Sequence, residues 1–192
     1  AARAVESHAS APPLMAQPTA APELNRTVLA IAGLDPSGGA GIAADLKTIA
    51  AHRLHGAAVI TSVTAQNTVG VQAIYDLPME FVKRQVESVV ADIEIHAVKI
   101  GMLGTAKTVE LIATLIESLG LHNVVLDPVL RSTTGTPLLE REGIVVLREK
   151  LLPRAHVVTP NMDEASILTG LQVTDVASMK AAALALHRLG AR

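Results

Sequence analysis

The chain has no cysteine and no tryptophan, and only one Phe and one Tyr among 192 residues. Without cysteine there are no disulfides, no thiolate nucleophile and no Cys-ligated metal. Without aromatics there is no platform on which bases could stack, as single-strand and RNA readers require. Positive charge is not in excess either. Sixteen Lys and Arg face 18 Asp and Glu, a net charge of −2, so phosphate backbones find no basic surface and no nucleic-acid partner is expected. No apolar run reaches the roughly 18 residues of a membrane-spanning helix. Residues 1–23 lack the continuous apolar stretch of a secretory leader, and a cytoplasmic location is the expectation. No repeat with a period of roughly 20–50 residues is present.

What is present is aliphatic. Hydrophobic residues make up 49% of the chain and charged residues 18%, with 31 alanines and 24 leucines. That composition builds a core. Residues 1–25 stand apart, with four of the ten prolines and eight alanines but no sustained period. They read as a tail or linker that is dispensable for folding.

From Arg26 onward the pattern alternates. Thr27–Ala32 is a short apolar strand, followed by the turn-rich loop Gly33–Gly41 and a helix over Ile42–Arg53. Further strands are expected at Ala57–Ala65, Val69–Asp76, Ala97–Gly101, Asn123–Asp127 and His156–Thr159. Helices are expected at Glu80–Ile93, Thr105–Leu119, Glu140–Lys150, Met162–Leu168 and Ala177–Leu189. In the second helix, Phe81, Val82, Val86, Val89, Val90 and Ile93 would form one apolar face. Short apolar strands alternating with helices predict an α/β fold, a mostly parallel sheet covered on both faces. In such folds ligands sit beyond the carboxyl ends of the strands. The last helix should lead into another strand, so the domain is expected to extend past Arg192. Its Met179, Ala183, Leu184, Leu186 and Leu189 would pack partly against strands beyond Arg192.

The polar residues after each strand are therefore the candidates. Gly33 to Gly38 has Walker A spacing, but Gly39 stands where that motif needs lysine. Gly39–Ala44 has the letters of a dinucleotide fingerprint, yet Gln66 stands near the end of the second strand, where that motif needs an acid. The loop is either a tight strand-to-helix turn or a small-ligand loop with backbone amides free to hold a polar group. Asp45 is either a favourable charge near a helix N-terminus or an acceptor facing the cleft. Gln66 and Asn67 either cap a turn or read a donor–acceptor edge. Asp127, with Asn161 and Glu164, could orient a hydrated Mg²⁺. Asn161 alone could simply cap the helix it precedes. Lys99 is a cleft-edge or a snorkelling residue. The seven histidines are scattered, and His52 and His55 suit a helix C-terminus better than a metal.

Several strings occur in one order: AGLDPSGGAGIAADLKT (32–48), TAQNTVGVQ (64–72), KIGML (99–103), NVVLDPV (123–129), TTGTPLL (133–139) and LLPRAHVVTPNMDEA (151–165). On these strings residues 26–192 resemble the hydroxymethylpyrimidine/phosphomethylpyrimidine kinases of thiamine biosynthesis, in the ribokinase-like superfamily. The resemblance implies a three-layer αβα sandwich and ATP- and Mg²⁺-dependent phosphorylation of a hydroxymethylpyrimidine and then of its monophosphate. It implies a pyrimidine site at Gly33, Asp45, Gln66 and Met102, and a Mg²⁺–phosphate region at Asp127, Asn161 and Glu164, with the metal reached through water by Asp127 and Glu164. A homodimer is implied for the full-length protein. Pyridoxal or pyridoxine kinase activity, and a non-catalytic pyrimidine-binding module, are the alternatives. Two stretches depart from the family pattern: Thr64 replaces a commonly apolar residue, and Leu130–Thr134 is unlike its counterpart. The family also continues past the equivalent of Arg192 into the glycine segment that builds its anion hole. No catalytic residue is therefore assigned, and residues 1–192 alone are expected to be aggregation-prone or marginally stable, and inactive.

Overall fold

The computed structural model describes residues 26–192; the tail assigned to residues 1–25 lies outside the described residues. The sheet begins with β1, Thr27–Leu34, whose alternating side chains divide the core. Leu29 and Ile31 enter one layer, and Ala30 and Ala32 the other. The alanine side is thin, and α1 (Gly41–Ala51) settles there through Ile42 and Ile49. Opposite, α2 (Met79–Val90) and α3 (Ala106–Ser118) place Val82, Val86, Val109 and Ile112 against Leu29, Ile31 and Val59.

The remaining strands are β2 (His55–Asn67), β3 (Gly70–Asp76), β4 (Ala97–Ile100), β5 (Val124–Leu126) and β6 (Val157–Val158). Their order is β3-β2-β1-β4-β5-β6. All neighbours are parallel except β2 and β3, which form an antiparallel hairpin. With helices on both faces, this is the three-layer α/β architecture expected from the alternating pattern. Among the described residues no helix is long and apolar enough to cross a membrane.

Two local expectations change. Phe81 is 55% exposed, because the buried stripe of α2 is Val82 and Val86, one turn apart, and Phe81 falls to the side of it. The helix expected over Glu140–Lys150 is α4 (Arg141–Val146), which widens into a π turn at Leu147–Leu151 and tightens into a 3₁₀ turn at Leu152–Arg154. That irregularity drives Leu147, Leu151 and Leu152 into the core together. After α5 (Met162–Thr169), α6 (Val176–Arg188) buries Ala182 and Leu186, while Leu184 is 63% exposed. Met179, Ala183 and Leu186 line an apolar groove of about 320 Å³ with Val158 and Ala165, beside the edge strand β6.

One side chain completes the sheet where a strand does not reach. β3 pairs with β2 only from Ser62 onward, leaving the backbone of Ile60 open on that side. Gln85 of α2 fills the gap. Its Oε1 accepts from the Ile60 N–H at 3.0 Å and its Nε2 donates to the Ile60 carbonyl at 2.9 Å. Replacing Gln85→Met should keep the packing but leave both backbone groups unpaired, a loss of about 1–3 kcal/mol in denaturant unfolding. Unchanged stability would mean that water satisfies Ile60 as well.

Candidate functional site

The carboxyl ends of β1, β2, β4 and β5 meet at a cleft of about 160 Å³. Its floor depends on a close approach. Gly41 has φ +54°, and a Cβ there would stand 2.2 Å from the Gly33 carbonyl oxygen. No larger residue permits the chain to turn from β1 into α1 at this distance. A Cβ on Gly33 would itself meet Met102 Sδ at 3.0 Å. Met102 is buried, and its carbonyl accepts from the Thr61 hydroxyl at 2.7 Å.

The loop between them is held by Asp35, the residue that directly follows β1. Its carboxylate accepts from the N–H of Ser37 at 2.8 Å, of Gly39 at 3.2 Å and of Ala40 at 2.9 Å, and from the Ser37 hydroxyl at 2.9 Å. Burial raises its carboxyl, and the donors of Ser37, Ala40 and Gly39 outweigh that, so it lies below the ordinary value. The Asp-Pro-Ser-Gly-Gly string is a turn signature that could have pointed to it. The amides of Ser37, Gly39 and Ala40 are thus bonded to Asp35 within the loop.

The polar wall is built by Lys99. Within β4 its neighbours Val98 and Ile100 are buried in the opposite layer, so pleating turns Lys99 toward α1. Its Nζ lies 3.1 Å from Asp45 Oδ2 and 3.8 Å from Asp127 Oδ2. Lys99 is thus a cleft residue; Asp45 does not itself line the cleft and meets it only through the Lys99 ammonium. Desolvation raises the Asp127 carboxyl above the ordinary value of 3.8. Lys99 pulls it down without cancelling that effect, and the negative charge of Asp45 pushes it up again.

Gly33, Gln66, Met102 and Asp127 all line this cleft, together with Thr64 and Val129. Asn161 and Glu164 do not. They line an adjoining cavity of about 250 Å³, with Leu130, Arg131 and Ser132. There they form a reciprocal cap on α5: Asn161 Oδ1 accepts from the Glu164 N–H, and Glu164 Oε2 accepts from the Asn161 N–H, both at 2.9 Å. Burial raises the Glu164 carboxyl; the Asn161 N–H lowers it, and the nearby Asp127 charge raises it further. Among the described residues no three His, Asp or Glu side chains are grouped to hold a metal directly. Asp127 and Glu164 offer hard oxygen donors of the kind that hold Mg²⁺ through its waters.

The phosphomethylpyrimidine kinase family model matches residues 35–192. The chain is 46% identical over 167 residues to a hydroxymethylpyrimidine/phosphomethylpyrimidine kinase of Haemophilus influenzae, covering 87% of this chain and 62% of the relative. A kinase of the same name from Mycobacterium leprae is 45% identical over 164 residues, with 85% and 59% covered. The chain thus spans about three-fifths of the length of these relatives. Among solved structures, the phosphomethylpyrimidine kinase of Clostridium difficile superposes with TM-score 0.81 at 42% identity, covering 86% of this chain and 72% of that one. A Staphylococcus aureus pyridoxal kinase in complex with pyridoxal gives TM-score 0.78 at 33% identity, with 86% and 62% covered.

The raised Asp127 carboxyl sets a pH test. A carboxyl whose folded value exceeds its unfolded value adds stability while protonated and loses that contribution as the pH rises through the folded value. Asp127→Asn removes this loss. Its stability relative to the parent should therefore climb as the pH is raised from about 4 to 7, followed by urea unfolding at each pH. A difference that is flat, or that falls with pH, contradicts the assignment.

Proposed function

Because the chain belongs to the phosphomethylpyrimidine kinase family, we propose that its cleft binds 4-amino-5-hydroxymethyl-2-methylpyrimidine for ATP-dependent phosphorylation in thiamine biosynthesis. The observation that carries the reading is the placement of Gln66. Gln66 lines the same small cleft as Gly33 and Met102, and the adjacent donor and acceptor of an amide match the edge of an aminopyrimidine. Asp45 stands behind that cleft, paired with the lining residue Lys99.

In the reaction the substrate hydroxyl oxygen would form a bond to the γ-phosphorus of ATP, the bond to the β–γ bridging oxygen would break, ADP would leave and the hydroxyl proton would pass to solvent. In the second transfer an oxygen of the monophosphate would attack the γ-phosphorus of another ATP, and ADP would leave again. Asn161 and the adjoining cavity would face the phosphates, and Asp127 and Glu164 would hold Mg²⁺ through water. When bound, the metal neutralises phosphate charge as it develops. Asp127 fits that task because the Lys99 charge it meets is already shared with Asp45, so its acceptor capacity remains. Glu164 contributes from a fixed carboxylate, one oxygen of which is spent on the cap.

Two copies are expected to associate in the cytoplasm. The outward face of the β2–β3 hairpin supports this, since Val63, Ala65, Ala73 and Tyr75 are all exposed and none is charged. A second reading, phosphorylation of pyridoxal, is favoured only by the likeness to the Staphylococcus aureus pyridoxal kinase. Product formation compared on the two substrates separates the readings.

Gln66→Ala should weaken binding of the hydroxymethylpyrimidine by about 1–3 kcal/mol, the cost of leaving its ring edge unpaired. Calorimetric titration checks this, and an unchanged affinity would remove Gln66 from the site.

A further inference from the structure

Thr64 and Gln66 share one ambiguous proton. The Thr64 hydroxyl oxygen lies 3.0 Å from the Leu34 carbonyl oxygen and 3.0 Å from Gln66 Oε1. A hydroxyl has one proton, and both of these neighbours are acceptors. Given to either, the proton leaves the other contact as two opposed lone pairs. Thr64 is only 6% exposed, so water is poorly placed to relieve the mismatch. Turning the Gln66 amide by 180° exchanges Oε1 for Nε2, a choice that hydrogen-bond partners decide. Nε2–H then donates to the Thr64 oxygen, and the Thr64 hydroxyl donates to Leu34. Every atom in the chain of bonds is matched.

We propose that Thr64 is a positioning residue that fixes the polarity of the Gln66 amide, and so decides which order of donor and acceptor the cleft accepts on a heteroaromatic edge. Thr64 and Gln66 are two apart on β2, on the face toward the cleft. Thr64 engages the sideways N–H of the amide. The forward pair, one carbonyl lone pair and one N–H, stays free for a ligand. A 4-aminopyrimidine presents an exocyclic donor beside a ring acceptor; a 4-oxopyrimidine presents an exocyclic acceptor beside a ring N–H. These are reversed patterns. A fixed amide matches one of them, and an amide free to turn matches both. The proposal rests on the reading of Gln66 as the group that meets the pyrimidine.

Two measurements test it. In ligand-free protein labelled with ¹⁵N at glutamine, the Gln66 Nε2 protons should show a nuclear Overhauser contact to the Thr64 side chain. Resolved Gln66 amide protons with contacts only away from Thr64 would overturn the proposal. The second measurement is the ratio of dissociation constants for the 4-amino and 4-oxo hydroxymethylpyrimidines, taken by calorimetry. The parent should discriminate by about tenfold or more, the scale of one mismatched buried polar pair. Thr64→Val, which keeps the volume and removes the hydroxyl, should bring the ratio to within about threefold. Thr64→Ser should restore it, which a purely structural role for the hydroxyl-bearing side chain does not require of the ratio. A parent-like ratio in Thr64→Val overturns the proposal. If the parent binds neither pyrimidine, the functional reading fails, and the Overhauser contact still decides the orientation of the amide.

Discussion

The cleft turns on the Lys99 ammonium. It sits between two carboxylates contributed by α1 and by the end of β5, at 3.1 Å from Asp45 and 3.8 Å from Asp127. Without it, two acids would face each other at the edge of a partly desolvated cleft. Room for it comes from Gly101, where a Cβ would approach Lys99 Nζ to 3.0 Å. The trio is partly exposed, so solvent screens it and its net stabilisation is small. Its effect is geometric. It fixes where Asp45 points, and it lowers the Asp127 carboxyl without cancelling the rise that burial causes.

A second constraint works through the backbone. Gly41 approaches the Gly33 carbonyl so closely that no side chain fits, and Asp35 then gathers the amides of Ser37, Gly39 and Ala40. The glycine loop is thereby closed on itself, not opened toward a phosphate as a P-loop would be. What it presents to the cleft is a tight wall formed by Gly33, Ala40 and Gly41.

Much of this was legible in the sequence. Alternating apolar strands and helices predicted the sheet covered on both faces, the positions after the strands pointed to Gln66 and Asp127, and the family resemblance added Gly33 and Met102. The capping residue Asn161 was evident from its place before Met162. Other features were not legible, for identifiable reasons. Lys99 could be read two ways because pleating, not local spacing, decides which face it joins. Phe81 looked apolar enough for the core, but a shift of one residue along a helix turns a side chain by about 100°. Gln85 drew no reading from its sequence neighbours, because only the short reach of β3 gives it a backbone to complete. Thr64 stood out only as an unusual residue; its hydroxyl acquires meaning from two acceptors that folding brings together.

The central claim is that the carboxyl edge of the sheet, between Gly33, Gln66 and Met102, is where a pyrimidine binds. A crystal structure of the protein with 4-amino-5-hydroxymethyl-2-methylpyrimidine tests it most directly. The account predicts the ring in this cleft, its amino edge on the Gln66 amide and its hydroxymethyl group toward Asp127. A ring seated elsewhere, such as the apolar groove between α5 and α6, with the Gln66 cleft empty, would contradict it.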